Sequence, residues 1–214
     1  MKAKLPLWSL LQPAKLKALL SFGIKGYLAD IGWIRSFDSR SPVDAHGEAL
    51  PWVTYSFIDF IKSRISNQHL IFEFGSGNST IFYAKKAKQV VSVEHDKAWF
   101  DKIKSASPAN AEMIFSELET NGAYSQMPLS TGNKYHIIIV DGRDRVNCSI
   151  NALPALTDDG VLVLDDSERE FYQPAIDFMK KSGFKELAFS GISPGLFYYK
   201  TTSVFYRNQN CLGI

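Results

Sequence analysis

Strand-length apolar runs recur along the middle of this chain at 69–74 (HLIFEF), 89–94 (QVVSVE), 111–115 (AEMIF), 135–140 (YHIIIV) and 160–165 (GVLVLD). Between the first three, and again after the fourth, lie segments of helical pattern at 79–88, 97–105 and 144–156. The runs are apolar on both faces, as strands of a sheet covered on both sides must be. The rhythm predicts an α/β, doubly wound, mostly parallel sheet. In such sheets ligands bind beyond the carboxyl ends of the strands, so the last residue of each strand and the loop after it are the places to look.

The flanks fit that frame. Trp52, Tyr55, Ile58, Ile61 and Ile65 recur at helical spacing after Pro51, which suits a first turn. A helix is expected at 168–182, closed by Gly183, and further strands at 185–190 and 202–207. Residues 116–134 are less regular. Pro6, Pro13, Gly23, Gly26, Gly32 and Pro42 break the start into short helices and loops. The expected division is an N-terminal helical extension, 1–46, and one Rossmann-like domain, 47–214.

Charge is uneven. Residues 1–40 hold all their lysines and arginines against only Asp30 and Asp38, a local balance of about +5 in a chain of net charge +2. This basic, apolar-rich start admits peripheral contact with an anionic membrane, or serves as a lid with a solvated face. Pro6, Pro13 and the lysines interrupt it, so it does not read as a signal peptide, and no run of 18 apolar residues exists. Cys148 and Cys211 have no metal or redox spacing, which fits a reducing, cytoplasmic location. No basic stripe lies near the strand ends, so no nucleic-acid partner is expected. A homo-oligomer is compatible with the sequence.

The first strand end reads Glu73-Phe74-Gly75-Ser76-Gly77-Asn78-Ser79-Thr80. Gly75 and Gly77 let the backbone turn tightly and approach a ligand. A dinucleotide fingerprint wants a third glycine where Thr80 stands. Glu73 would repel a diphosphate and attract a cationic ligand; S-adenosylmethionine carries an ammonium and a sulfonium. The second strand ends in Glu94-His95, and Glu94 stands where an acid accepts the hydroxyls of an adenosine ribose. That feature does not separate adenosylmethionine from NAD. His95 is a candidate for the adenine edge. The cofactor-binding set is therefore Glu73, Gly75, Ser76, Gly77, Ser79, Glu94, His95 and Asp141.

Strand four ends in Asp141-Gly142-Arg143-Asp144-Arg145, and strand five in Asp165-Asp166. Clustered aspartates are costly unless a cation compensates. Two readings stay open. Asp141, Asp165 and Asp166 hold Mg²⁺ through carboxylate oxygens, or Asp141, Asp144, Asp165 and Asp166 form an ion-pair web with Arg143, Arg145 and Arg169.

Together these residues resemble the class I S-adenosylmethionine-dependent methyltransferases over roughly residues 50–207. The resemblance implies strand order 3-2-1-4-5-7-6 with the seventh strand antiparallel, and S-adenosyl-L-methionine as cofactor. A narrower likeness, to metal-dependent O-methyltransferases, rests on Asp141, Asp165 and Asp166. It implies O-methylation of a small-molecule or sugar hydroxyl, Asp141 at the reaction centre and a base three residues later. That residue is Asp144 where the branch has Lys or His. Arg143 and Arg145 are candidates for holding an acidic group of the acceptor. The segment from Trp33 to Trp52 and the loop 191–195 are the expected substrate walls. The rivals are a non-catalytic adenosylmethionine-binding or assembly protein and an NAD-dependent oxidoreductase, which lacks support because no Tyr-x-x-x-Lys pair follows strand four.

Overall fold

The computed structural model describes residues 6–214. After a 3₁₀ turn at Leu7–Leu10 come three helices, α1 (Pro13–Ile24), α2 (Tyr27–Asp30) and α3 (Trp33–Ser39). Then follow α4 (Tyr55–Lys62), β1 (Leu70–Phe74), α5 (Asn78–Ala84), β2 (Gln89–Glu94), α6 (Lys97–Ala106), β3 (Ala111–Phe115), α7 (Ala123–Ser130), β4 (Tyr135–Val140) and α8 (Arg145–Ala152). The last elements are β5 (Leu156–Asp165), α9 (Gln173–Lys181), β6 (Lys185–Gly191) and β7 (Lys200–Tyr206).

The strands form one seven-stranded sheet in the order 3-2-1-4-5-7-6. Strands β1 to β5 pair in parallel, while β7 runs antiparallel to both β5 and β6. This is the expected fold class and order. Side chains alternate across the pleat. Phe72, Phe74, Ile138, Val140, Leu162 and Leu164 enter one core with Tyr124, Cys148, Ala152 and Met179 of α7, α8 and α9. Ile71, Val90, Ile137, Ile139, Val161 and Val163 enter the other with Ile58 and Ile61 of α4 and Tyr83 and Ala84 of α5. Both faces are thus covered, which explains why the central strands are apolar throughout.

Local signals set most element ends. Asp96 caps α6 by accepting the Trp99 amide at 2.9 Å. Gly183, at φ +85°, ends α9, with the Phe184 amide donating to Met179 O at 3.1 Å. Several elements differ from expectation: β5 begins at Leu156 rather than 160, α8 ends at Ala152 rather than 156, and the helix expected from 168 begins at Gln173. Helix α4 starts at Tyr55, not Pro51, because residues 52–54 are drawn onto the β6–β7 hairpin: the Trp52 indole donates to Pro194 O (2.7 Å) and the Thr54 hydroxyl to Phe189 O (3.1 Å). Helix α7 arises in the irregular stretch; it contains Pro128, and Tyr124, Ser125 and Pro128 are buried against the body. Among the described residues no helix is long and apolar enough to cross a membrane.

Candidate functional site: a cleft at the strand ends

A cleft of about 680 Å³ opens at the carboxyl ends of β1, β2 and β4. Its floor is the β1–α5 turn, and its lining includes Glu73, Gly75, Ser76, Gly77, Ser79, Glu94, His95 and Asp141. The eight residues expected to bind the cofactor therefore converge on one cavity.

The turn is fixed by hydrogen bonds on every side. The Gly75 amide donates to Val93 O (2.9 Å), and Gly75 O accepts from the Ser92 hydroxyl (2.5 Å). Ser76 O accepts from the Trp99 indole at 2.8 Å. Gly75 has φ +90°, and a Cβ there would lie 3.3 Å from Gly142 Cα. A Cβ on Gly142 would in turn collide with the Tyr124 hydroxyl and sit 3.0 Å from the Gly75 nitrogen. The two loops touch backbone to backbone, so each requires glycine.

Thr80 occupies the position of the absent third glycine and gives it a purpose. Its hydroxyl accepts from the Gly77 amide (3.1 Å) and donates to Glu73 Oε2 (2.6 Å). Glu73 is essentially inaccessible. Burial pushes its carboxyl up to about 7, against hydrogen bonds from Ser79, Thr80 and Ser92. Glu94 is held as firmly. Its Oε1 accepts from the amides of His95 (2.8 Å) and Asp96 (2.9 Å), and its Oε2 from the Ser76 hydroxyl (3.0 Å). The two amides fill Oε1, while Oε2, with one donor, keeps acceptor capacity toward the cleft. His95 Nδ1 lies 2.9 Å from Glu94 Oε1 but not in hydrogen-bonding geometry.

The aspartate cluster resolves in favour of the ion-pair web, with a different membership. Asp165 Oδ2 meets Lys200 Nζ at 2.7 Å and its Oδ1 accepts from the Thr202 hydroxyl at 2.8 Å. Asp166 lies 2.8 Å from Arg169, 2.9 Å from Lys200 and 3.3 Å from Arg145. Asp141 Oδ1 lies 3.0 Å from Arg145. Burial alone would pull Lys200 down, but Asp165, Asp141 and Asp166 outweigh it and its pKa is raised. Burial, then Asp165, pushes the Asp141 carboxyl upward, opposed by Arg145 and Lys200.

Asp141, Asp165 and Asp166 therefore do not fit the expected Mg²⁺ site. Their oxygens already face three cationic side chains, which occupy the space and supply the charge a divalent ion would. Among the described residues no group of three His, Cys, Asp or Glu side chains is arranged to hold a metal. Two further expectations are corrected. Asp144 does not line the cleft; its carboxylate accepts from the Asn121 amide and the Asn147 side chain, both at 2.8 Å, and pins the loop before α7 to the start of α8. It is not placed to take a proton from a substrate. Arg145 is not free for an acceptor, because its guanidinium also donates to Gly142 O (3.0 Å), Asp165 O (2.6 Å) and Asp141 O (3.2 Å).

The outer cleft carries what the strand ends do not. Arg40, Ser41, Pro42 and Trp52 form one wall, Leu196 and Tyr198 another, and Arg143 and Arg169 a third. Asn78 ties the first wall to α5 by donating to Ser41 Oγ (3.1 Å) and Pro42 O (2.8 Å). The loop 191–195 is not itself lining; the wall begins one residue later. Lys200 and Trp99 went unnoticed in the sequence. Lys200 had a signal: a lysine opening an apolar, β-branched strand, KTTSVFY, needs a buried anion.

No protein-family model and no curated protein matches the chain. Solved structures do. A precorrin-6y C5,15-methyltransferase from Geobacter metallireducens superposes with TM-score 0.57 at 13% identity, over 80% of this chain and 96% of that one. An rRNA methylase from Streptococcus thermophilus gives TM-score 0.52 at 12% identity, over 73% and 99%. A Streptococcus mutans protein assigned as a methyltransferase, solved in complex with SAH (S-adenosylhomocysteine), gives 0.50 at 13%, over 69% and 94%. With the strand order and the antiparallel β7, these likenesses show that the chain has the Rossmann-like α/β fold of the S-adenosylmethionine-dependent methyltransferases.

Proposed function

We propose that this chain is an S-adenosylmethionine-dependent methyltransferase acting on a hydroxyl of a small-molecule or sugar acceptor that carries an acidic group. The observation that supports the cofactor is the sign of the charge at the glycine turn. Glu73, Ser76, Ser79, Thr80 and Glu94 are acidic or neutral, and the Gly77 amide that a phosphate would use is taken by Thr80. A diphosphate would meet the Glu94 carboxylate there, and a cation would favour the ionised form of Glu73 where a phosphate would oppose it. A cationic donor would meet charge of the opposite sign, in a site where burial strengthens it. The SAH-bound neighbour agrees with this choice at the level of the fold.

In the proposed reaction the acceptor oxygen attacks the methyl carbon in line with its bond to sulfur. When bound, the donor would supply an electrophilic methyl group to that oxygen and would keep the bonding pair on its own sulfur, leaving as a neutral thioether. The proton of the hydroxyl goes to Asp141, the strand-four carboxylate that faces the cleft. Glu94 would hold the ribose hydroxyls, and Trp99, whose indole is fixed by Ser76 O, lines the same cleft as a candidate neighbour for the adenosine. Arg143 and Arg40 line the acceptor side of the cleft and would select an anionic group by paired N–H donors. The N-terminal extension, taken as 1–46, contributes Arg40 to Pro42 of that wall. Aligning the two reactants supplies much of the acceleration.

Titration calorimetry with S-adenosylhomocysteine and with NAD tests the cofactor. The homocysteine form is expected to bind, and Glu94→Ala to abolish that binding; an NAD response alone refutes the reading. Asp141→Asn is expected to keep adenosylhomocysteine binding while lowering turnover about 10²–10⁴-fold, the range for loss of a positioned base.

A further inference from the structure

Helix α1 has no buried residue. Phe22, Leu16, Leu19, Leu20 and Ile24 are 44% to 76% exposed, and Trp8 and Leu11 just before the helix are 72% and 66% exposed. Its ties to the rest of the chain are slight: Phe22 stacks on Tyr27 at 6.2 Å, and Gly23 lies against Ile34. Isolated helices of this length are marginal in water, because most helix stability comes from burying an apolar face. A twelve-residue helix that buries nothing is therefore incomplete without a surface to cover it.

Charge identifies the surface. Lys15, Lys17 and Lys25 stand in or beside α1, Lys2 and Lys4 precede it in the sequence, and no acid occurs before Asp30. A second copy of this chain would bring lysine-rich helices together. A lipid surface with anionic headgroups pairs with the lysines while its acyl boundary takes the leucines and Phe22. Tryptophan, here Trp8, favours that interface. Lys15 and Lys17 stand among the leucines rather than on a face of their own, so their long stems must carry the ammonium groups to the headgroups while their methylenes stay in the apolar layer.

We infer that α1, with Trp8 and Leu11, is a peripheral docking element that lies in the plane of an anionic lipid membrane. It holds the domain at the bilayer without crossing it. The lysines set the preference for negative lipid, and the exposed leucines set the depth.

Co-sedimentation of the full chain with vesicles tests this, comparing phosphatidylcholine alone with phosphatidylcholine containing phosphatidylglycerol. Binding is expected only to the mixed vesicles and is expected to weaken with added salt. Lys15→Gln with Lys17→Gln should lower the partition roughly fivefold per lysine. Leu16→Ser with Leu20→Ser should remove binding while thermal unfolding of the body stays the same, since neither leucine is buried. Absence of binding to the mixed vesicles, or equal binding to both kinds, overturns the inference. So does a dimer in sedimentation equilibrium that the leucine variant dissolves without any vesicle binding by the native chain.

Discussion

Glu73 is the residue on which burial and charge conflict most openly. Its carboxyl sits inside the sheet layer with a threonine hydroxyl on one oxygen and is raised from 4.5 to about 7. The folded protein thus holds that proton more tightly than the unfolded chain. The stability this gives is full below about pH 4.5, falls as pH rises toward 7, and is gone above it. The change is about 3 kcal/mol at 1.36 kcal/mol per pH unit. Glu73→Gln keeps an acceptor for Thr80 and has no proton to lose. Urea unfolding at several pH values should show the Gln variant gaining about that much on the native chain between pH 4.5 and 7.5. Parallel curves would show that Glu73 is ionised throughout. At this scale the sequence was informative but incomplete. Glu73, Gly75 and Glu94 were legible because each stands at or just after the end of an apolar strand run. Thr80 looked like a missing glycine, and only the folded turn shows its hydroxyl joining Gly77 to Glu73.

Among the elements, β5 and β7 decide the chemistry of the aspartates. They pair antiparallel with Asp165 opposite Thr202, which brings Lys200 to Asp165 from 35 positions along the chain. A buried carboxylate that loses its partner is expensive, and breaking such a pair costs about 3–5 kcal/mol. Lys200→Met is therefore expected to lower the unfolding free energy by about that amount. Adding Asp165→Asn should recover part of it; if denaturant midpoints stay unchanged in Lys200→Met, the pair contributes nothing. Element ends were legible where a local device sets them, as at Asp96 and Gly183. They were not legible where a distant partner sets them. Trp52 leaves the helical register to reach Pro194, and α7 forms around Pro128 because its buried face packs on the body.

For the whole molecule, two cores on either side of one sheet carry the stability, and the first helix carries none of it. Among the residues whose burial is described, removing 1–25 takes away no buried side chain. The shortened chain should unfold with the same midpoint and denaturant slope as the full one, to within about 0.5 kcal/mol, the usual range for surface changes. A markedly lower midpoint would mean that α1 packs on the body in solution. Residues 27–50 are different, since Ser36 and Leu50 are buried and Arg40 to Pro42 wall the cleft.

By itself the sequence determined the architecture. Apolar runs of strand length suit strands covered on both faces, and helical segments between them suit parallel crossovers with a cleft at the strand ends. It also placed two carboxyl groups at the glycine turn, since Glu73 and Glu94 end the two strands that a parallel crossover sets side by side. Tertiary structure alone decided what the aspartates do. Three carboxylates at adjacent strand ends suit a metal or a set of cations equally well until Lys200 arrives from the antiparallel strand and Arg145 turns inward. Electrostatic energy depends on distance in space, and for residues 35 apart in the chain that distance is set by the sheet.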